Sequence, residues 1–177
     1  VEILKGRKIK VLDLKDSDSF IFDGNELMAS KSIKRDSELT TIPKDFYSKL
    51  FGNINLSNEF IQEFFCESQF SDNIKVYFQL TNDDFSRSTR YFVVDFSKKN
   101  IEVCFDYFDW EEIKINAVND NGNRYLMLKI REDSFNWVVK NNMPFEDLSI
   151  GFQCRIDRVP DVYNVKFWDH FTNIYIR

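Results

Sequence analysis

The segment Ile74–Thr81, IKVYFQLT, decides the fold class of this chain. Apolar residues recur in it at every second position: Ile74, Val76, Phe78 and Leu80. This is the period of a β-strand, in which successive side chains point to opposite faces of a sheet. One face is therefore buried and the other is half-exposed, so the chain must supply an apolar layer that covers the buried face.

A helix that can supply this layer is predicted directly before the strand. Ser57 is a suitable N-cap, because its side-chain oxygen can accept from a free main-chain N–H in the first turn. Apolar residues then recur at helical spacing, ending near Phe70: Phe60, Ile61, Phe64 and Phe65. A shorter helix is predicted from Pro43 to Leu50, ended by Gly52.

The rest of the chain continues with strands and then returns to helices. Strands are predicted at residues 90–96, 101–105, 112–118 and 124–130. The dipeptide Asn121-Gly122 between the last two favours a hairpin, which makes the middle of the chain an antiparallel meander. Further on, the pattern predicts a helix capped by Asp133 or Ser134, a helix at 144–148, a strand at 152–156 and a terminal helix at 160–173.

These elements indicate an α+β fold, with an antiparallel sheet of about five to six strands covered on one face by helices. The residues expected on the covered face are Ile74, Val76, Phe78, Leu126, Leu128 and Ile130. Residues 1–28 are predicted to form a short β unit with strands at 8–14 and 19–22, for which the end of a preceding domain is one interpretation. Residues 29–42 are expected to be a linker or loop, and residues 43–177 the α+β domain.

Composition excludes several classes of protein. The formal net charge of −5 argues against nucleic acid as a partner, because phosphate backbones are bound by clustered Lys and Arg. No apolar run approaches the roughly 20 residues of a membrane span. The three cysteines lie far apart within hydrophobic runs, which indicates buried thiols rather than disulfides and favours a cytoplasmic location: Cys66, Cys104 and Cys154.

No residue pattern predicts a catalytic, metal or cofactor site. His170 is the only histidine, so catalytic triads and multi-histidine metal sites are excluded within this chain. One cluster of carboxylates surrounds Trp110: Asp106, Asp109, Glu111 and Glu112. These residues could form an acid pair beside a ring, as in a small enzyme, or they could belong to a solvated loop between strands.

The most informative feature of the composition is the presence of 19 Phe among 177 residues. Rings of this kind either fill a core or line an apolar pocket. The rings expected near such a pocket include Phe65, and the residues predicted to bind a ligand are Phe60, Phe64, Trp137, Phe152, Phe167 and Trp168. The terminal helix carries so many rings that it is expected to act as a lid or an interface.

From Phe60 onward, the order of the predicted elements resembles the sterol carrier protein type two domain. The resemblance depends mainly on Asp133-Ser134-Phe135 at a helix start and on the run Phe145–Gly151 leading into the strand Phe152–Ile156. In that family a similar helix, glycine and strand shape the end of an apolar tunnel. The resemblance therefore implies an apolar ligand.

Domains that resemble this one also occur as C-terminal appendages of larger enzymes, some with a metallo-β-lactamase-like fold. The segment Pro160–Asn164, followed by Phe167-Trp168, is similar to the C-terminal segment of such proteins. Residues 1–27 would then be the last strands of a preceding catalytic domain. Any hydrolytic activity would reside in that domain.

The sequence thus predicts a non-catalytic accessory domain that binds an apolar small molecule or an adjacent protein domain, as a C-terminal piece of a larger enzyme. Two alternatives stay open. One is a small free-standing enzyme that uses the acidic cluster around Trp110, and the other is a homodimerisation module.

Overall fold

The computed structural model describes residues 20–22, 27–29, 46–118, 120 and 122–172. The chain separates into two compact units, Val1–Thr41 and Ile42–Arg177. The first unit contains a two-stranded antiparallel sheet, β1 (Phe20–Phe22) and β2 (Leu27–Ala29). The expected strand at residues 8–14 lies outside the described residues, and the domain boundaries at residues 28 and 42 stay predictions.

The second unit combines short helices with a five-stranded sheet. Its elements in chain order are α1 (Phe46–Phe51), α2 (Asn58–Glu67), β3 (Ile74–Thr81), β4 (Ser88–Asp95), β5 (Glu102–Cys104), α3 (Trp110–Ala117), β6 (Arg124–Arg131), α4 (Glu132–Lys140), α5 (Glu146–Ile150), β7 (Cys154–Val159) and α6 (Val165–Thr172). Among the helices of the described ranges, none is long and apolar enough to cross a membrane.

Helix α2 and strand β3 form where the sequence predicts them. Ser57 Oγ accepts from the main-chain N–H of Phe60 at 3.2 Å and caps α2. Along β3 the buried residues alternate with half-buried ones until Leu80. Ile61 and Phe65 of α2 are fully buried and belong to the same apolar cluster as the buried face of β3.

The strand order is β5-β4-β3-β6-β7, with β3 at the centre. The α+β class and the helix-covered sheet are therefore confirmed. The sheet is mixed, because β6 runs parallel to β3 while the other three pairings are antiparallel. Parallel neighbours need a long crossover connection, and the chain between β5 and β6 provides one through α3.

The expected strand at residues 112–118 is wrong, because this segment forms α3. Asp109 caps the helix by accepting from the N–H groups of Glu111 and Glu112. Trp110 and Ala117, seven residues apart, are buried on one side of it. The apparent alternation of apolar residues is misleading, since Ile115 is 70% exposed. The hairpin expected at Asn121-Gly122 is lost with that strand, and Asn121 itself lies outside the described residues.

The covered face of the sheet is the predicted one. All six residues expected there are no more than 1% exposed: Ile74, Val76, Phe78, Leu126, Leu128 and Ile130. Cross-strand pairing places Val94 and Leu126 beside Val76, and Phe92 and Leu128 beside Phe78. Helices α2, α4, α5 and α6 contribute buried side chains to this cluster.

Phenylalanine rings form the centre of the core, and Phe65 of α2 contacts rings from both the sheet and the helices. Its ring centroid lies 5.2 Å from that of Phe78, 5.8 Å from Phe171 and 6.4 Å from Phe145. Each fully buried Phe contributes about 1.5–3 kcal/mol by burial, and well-placed ring pairs add about 0.5–1.5 kcal/mol. Much of the aromatic surplus in the composition is therefore core packing.

The opposite face of the sheet also carries aromatic residues. Trp110, Ala117 and Tyr125 form a second, smaller buried cluster there, with Tyr77 and Phe108 packed against it. Tyr77 and Phe108 meet edge to face with centroids 5.1 Å apart. Helix α3 and the segment before it thus cover part of this second face.

The starts of two helices differ from the predictions. Helix α4 begins at Glu132 with Arg131 at the N-cap position, so Asp133 and Ser134 both lie inside it and neither is its cap. Helix α6 begins only at Val165, which leaves Val162 and Tyr163 outside the helix, both more than half exposed. Its rings consequently occupy one buried face: Phe167, Trp168 and Phe171.

Candidate binding site

A small apolar depression of about 110 Å³ lies where five parts of the second unit meet. We call it the groove and define it by its lining residues: Phe51, Ser134, Trp137, Val138, Met143, Asp147, Leu148 and Gln153. They come from the end of α1, from α4, from the loop after it, from α5 and from the residue before β7. Most of the lining is apolar.

Gln153 anchors the polar side of the groove through a network of hydrogen bonds. Its Oε1 accepts from Ser134 Oγ at 3.0 Å and from Arg131 Nη1 at 3.3 Å. Its Nε2 donates to the carbonyl of Gly151 at 2.6 Å. Because these bonds satisfy the side-chain amide, the groove offers chiefly apolar contacts to whatever occupies it.

Apolar side chains reach the surface around the groove. Trp137 is 37% exposed and Met143 39%, and the rings of Phe51 and Trp137 lie 5.8 Å apart. Three more exposed residues are close neighbours, in the chain, of lining residues: Leu50, Ile150 and Phe152. Trp137 and Met143 thus present exposed apolar side chains in the groove itself, and exposed apolar patches mark interaction sites on proteins.

Phe152 stands out in this group because it is 85% exposed and has a φ of +54°. Bulky residues rarely adopt this left-handed conformation, which is costly for a side chain with a Cβ. The position is held by a hydrogen bond from Arg131 Nη1 to the Phe152 carbonyl at 2.8 Å and by one from the Phe152 N–H to Ser149. The fold thus presents a large ring to solvent in a constrained conformation.

The structure distributes the six residues predicted to bind a ligand over several places. Trp137 lines the groove, and Phe152 directly precedes the lining residue Gln153 in the chain. Phe64 and Phe167 pack within the core, the first stacked on Phe145 with centroids 6.1 Å apart. The remaining two lie elsewhere: Lys140 Nζ is 4.9 Å above the Phe60 ring, and Trp168 lines a second depression between α5 and α6. Their binding role stays a prediction.

The acidic residues around Trp110 are engaged in separate local interactions. Asp109 caps α3, Glu111 pairs with Lys114 at 2.7 Å, and Asp106 accepts from Cys104 Sγ at 2.7 Å. The indole Nε1 of Trp110 donates to Asp157 Oδ2 at 2.8 Å, on β7. Lys114 Nζ also lies 3.3 Å from Asp157 Oδ2, so its ammonium bridges the Glu111 and Asp157 carboxylates, and each of these contacts has a structural explanation.

The cysteines and the histidine occupy ordinary structural positions. Cys66 and Cys104 are exposed, so their predicted burial is wrong, while Cys154 is partly buried and all three are free thiols. Burial raises the pKa of Cys154 to about 11, and the hydrogen bond to Asp106 raises the pKa of Cys104. His170 Nε2 donates to the Ser68 carbonyl at 2.8 Å.

A wider cleft of about 470 Å³, which the sequence did not indicate, opens at the ends of α3 and β6. Asp120 lies in it and accepts from Asn123 Nδ2 at 2.7 Å and from the Tyr125 hydroxyl. Burial and this contact raise the pKa of Tyr125 to about 12. Because these polar groups form hydrogen bonds with one another, they do not indicate a ligand-binding site.

The groove was only partly predictable. Trp137, a conspicuous ring in the sequence, is the one residue of the six that lines the groove, and its binding role stays a prediction. Phe51, Met143 and Gln153 were missed, because they lie on separate elements and carry no local pattern. The one signal available was the clustering of apolar residues at the ends of short helices.

The chain is similar to part of several much longer enzymes. It is 33% identical over 155 residues to the cytidine monophosphate-N-acetylneuraminic acid hydroxylase of Sus scrofa, matching 80% of this chain and 33% of that protein. It is 29% identical over 153 residues to the inactive cytidine monophosphate-N-acetylneuraminic acid hydroxylase of Homo sapiens, with 80% and 28% covered. A stretch of 47 residues is 45% identical to the Cricetulus griseus hydroxylase, with 27% and 8% covered.

The chain spans about a third of the length of these relatives. No protein-family model matches it. Among solved structures, sterol carrier protein 2 of Yarrowia lipolytica, in its apo form, overlaps 77% of this chain and 95% of its own with 12% identity and a TM-score of 0.37. An overlap of this size carries no conclusion about ligand or function, and the metallo-β-lactamase appendage stays a prediction.

Proposed function

We propose that this chain is a non-catalytic accessory module of a larger enzyme and that the surface around the groove binds an adjacent domain of that enzyme. The similarity to about a third of enzymes named cytidine monophosphate-N-acetylneuraminic acid hydroxylases supports the larger context. The catalytic machinery of such an enzyme would then reside outside these 177 residues.

The observation that carries the proposal is the exposed apolar surface beside the groove, above all Phe152. A ring that is 85% exposed and held at positive φ buries little area within the isolated module and is expected to contribute little to its stability. Such rings are typical anchors of protein interfaces, where aromatic residues contribute most of the binding energy. Trp137 and Met143 provide adjoining apolar area.

The size of the groove favours a protein partner over a small molecule. Pockets that enclose drug-sized ligands measure about 300–1,000 Å³. The groove holds about 110 Å³, which suits one or two side chains from a facing domain. The rings of Phe65 and Phe167 are buried in the core and that of Phe64 packs against it, so none of the three lines the groove.

The decisive experiment begins with the natural reading frame that encodes this chain. We expect it to be longer, and its remaining part can be produced separately and titrated with the 177-residue chain by calorimetry. The double variant Trp137→Ser, Phe152→Ser should bind at least about tenfold more weakly, a loss of about 1.4 kcal/mol or more. Tyr107→Ser is the matched control, because Tyr107 is a 73% exposed ring in the segment that covers the other face of the sheet.

Either of two results would overturn the proposal. The first is a reading frame that ends with these residues, and the second is equal affinity for the double variant and the control. Self-association of the chain alone, measured by sedimentation velocity and lost in the double variant, would instead favour the homodimerisation module.

An apolar small molecule is the second candidate, favoured by the apolar lining of the groove. Only the end of an acyl chain or a single ring would fit in a space of this size. A fluorescent fatty-acid analogue should then bind the wild-type chain with saturable enhancement, and Trp137→Ser should abolish the enhancement. Unchanged fluorescence in both proteins excludes this candidate.

A further inference from the structure

The outer edge of strand β7 is the longer of the two free edges of the sheet. Strand β7 (Cys154–Val159) lies at one end of the strand order and pairs along its whole length with β6. The strand at the other end, β5, has only three residues, whereas β7 has six. A sheet edge of this length is a template for pairing with a further strand.

The hydrogen-bond register shows which groups of β7 point outward. Just before the strand, the Arg131 N–H donates to the Gln153 carbonyl at 3.1 Å, so these two residues form a hydrogen-bonded pair. In an antiparallel ladder such pairs alternate with pairs whose main-chain groups point away from each other. Cys154 and Ile156 lie one and three positions beyond Gln153, so their N–H and C=O groups point away from β6.

These outward groups of Cys154 and Ile156 have no hydrogen-bond partner among the residues that the structure describes. The next outward N–H, that of Arg158, differs because it donates to Asp157 Oδ1 at 2.8 Å. The free groups repeat every second residue, about 6.6–6.8 Å apart along the strand. A neighbouring β-strand presents main-chain groups with the same repeat, so the chemistry of this edge fits an extended polypeptide.

The Ile156 side chain adds apolar surface at the same edge. It is 41% exposed, although its cross-strand partner Leu128 is fully buried on the covered face of the sheet. Of the features with which proteins block strand addition, β7 has charged side chains but neither a proline nor a bulge. A strand added here would cover Ile156 and extend the apolar layer.

The edge is continuous in the chain with the surface proposed to bind the partner domain. Gln153, which lines the groove, directly precedes β7, and the 85% exposed Phe152 precedes Gln153. A domain that buries the Phe152 ring therefore lies within two residues of the first free main-chain groups, those of Cys154.

We propose that an extended segment of the partner domain adds to β7 as a sixth strand of the sheet and forms hydrogen bonds with Cys154 and Ile156. Main-chain pairing provides affinity in such complexes, and the exposed Phe152 and Ile156 side chains provide apolar anchors. This inference rests on the proposed function and names the conformation in which the partner binds.

Amide hydrogen exchange, followed residue by residue by nuclear magnetic resonance, tests the added strand directly. The probe is the separately produced remainder of the reading frame. In the 177-residue chain alone, the N–H groups of Cys154 and Ile156 should exchange rapidly, while those of Arg155 and Asp157, which face β6, should exchange slowly. Saturation with the remainder should slow exchange at Cys154 and Ile156 at least about tenfold.

Two variants at one position separate the main chain from the side chain. Ile156→Pro removes the outward N–H and leaves the bonds to β6, because proline is tolerated at edge positions whose N–H faces solvent. It should weaken binding of the remainder at least about tenfold, whereas Ile156→Val, which keeps the N–H, should change the affinity by less than about twofold. Circular dichroism checks that the proline variant is folded, and the exchange data alone decide if it is not.

Three results would overturn the added strand. Slow exchange at Cys154 and Ile156 in the isolated chain would show that the edge is already paired. Binding of the remainder with unchanged exchange at these residues, or with equal affinity for the two folded variants, would leave the proposed function standing and remove this inference alone. Absence of any binding to the wild-type chain would remove the proposed function and the sixth strand together.

Discussion

Trp110 Nε1 donates a hydrogen bond to Asp157 Oδ2 at 2.8 Å, and this contact joins α3 to the edge strand β7. Lys114, one turn further along α3, lies 3.3 Å from the same carboxylate oxygen. The two bonds fix α3 against the second face of the sheet. The indole of Trp110 therefore makes a structural contact with β7 through Asp157.

Trp110→Phe should lower the free energy of unfolding by about 1–2 kcal/mol, because a hydrogen bond to a charged group is lost. Urea denaturation measures this loss. The matched control is Trp137→Phe, at a ring that is 37% exposed, which should change stability by no more than about 0.5 kcal/mol. Equal effects of the two substitutions would show that the Trp110 contact contributes nothing.

The same contact predicts how stability depends on acid. Burial by itself would raise the pKa of Asp157. Hydrogen bonds from Trp110 and from the Arg158 N–H, together with Lys114, outweigh burial and hold this pKa below its usual value. A carboxyl with a lowered pKa stabilises the folded state above its unfolded pKa of about 3.9, and this contribution is lost as the pH falls below it. Trp110→Phe should therefore lose less stability than the wild type between pH 5 and pH 2, as measured by thermal unfolding.

Val76→Asp should unfold the second unit. Val76 is fully buried between Val94 and Leu126, so an unpaired carboxylate there would cost several kcal/mol, comparable with the total stability of a domain. Ile115→Asp is the matched control, because Ile115 is 70% exposed on α3. Circular dichroism should show a folded control and an unfolded or strongly destabilised Val76 variant. A melting temperature within about a degree of the wild type would contradict the core assignment.

Phe65→Ala should cost about 3–5 kcal/mol, because it removes a fully buried ring that contacts rings from both the sheet and the helices. The same substitution at Phe152, which is 85% exposed, should leave stability within about 0.5 kcal/mol. Chemical denaturation of the pair separates core rings from surface rings. A large loss at Phe152 would mean that this ring stabilises the module and would remove the main support for its role in an interface.

Substitutions at Asp109 distinguish a structural role of the acidic cluster from a catalytic one. Asp109→Ala should destabilise the chain by about 1 kcal/mol through loss of the α3 cap, while Asp109→Asn should retain nearly full stability, because Asn is an equally good N-cap. Thermal melts of the two variants test this difference. Any turnover by the wild-type chain that disappears in Asp109→Asn, with stability intact, would favour the small enzyme instead.

The amino-acid sequence by itself determined the local elements whose periodicity is strong and whose ends are marked. The alternation in Ile74–Thr81, the cap at Ser57 and the identity of the six buried sheet residues all follow from spacing, since one face of each element must leave water. The helix at residues 110–117 could have been recognised from Asp109 followed by Glu111 and Glu112, a common helix start, but Ile113 and Ile115 also fit a strand.

Only the tertiary structure decided which strands are neighbours and where surface sites form. The place of β6 beside β3, parallel to it, depends on a crossover through α3 and on contacts between residues about fifty positions apart. The groove likewise joins Phe51, Met143 and Gln153, which share no local pattern. Rings such as Phe65 and Phe152 are indistinguishable by composition, and the packing of distant elements determines that the first is buried and the second faces solvent.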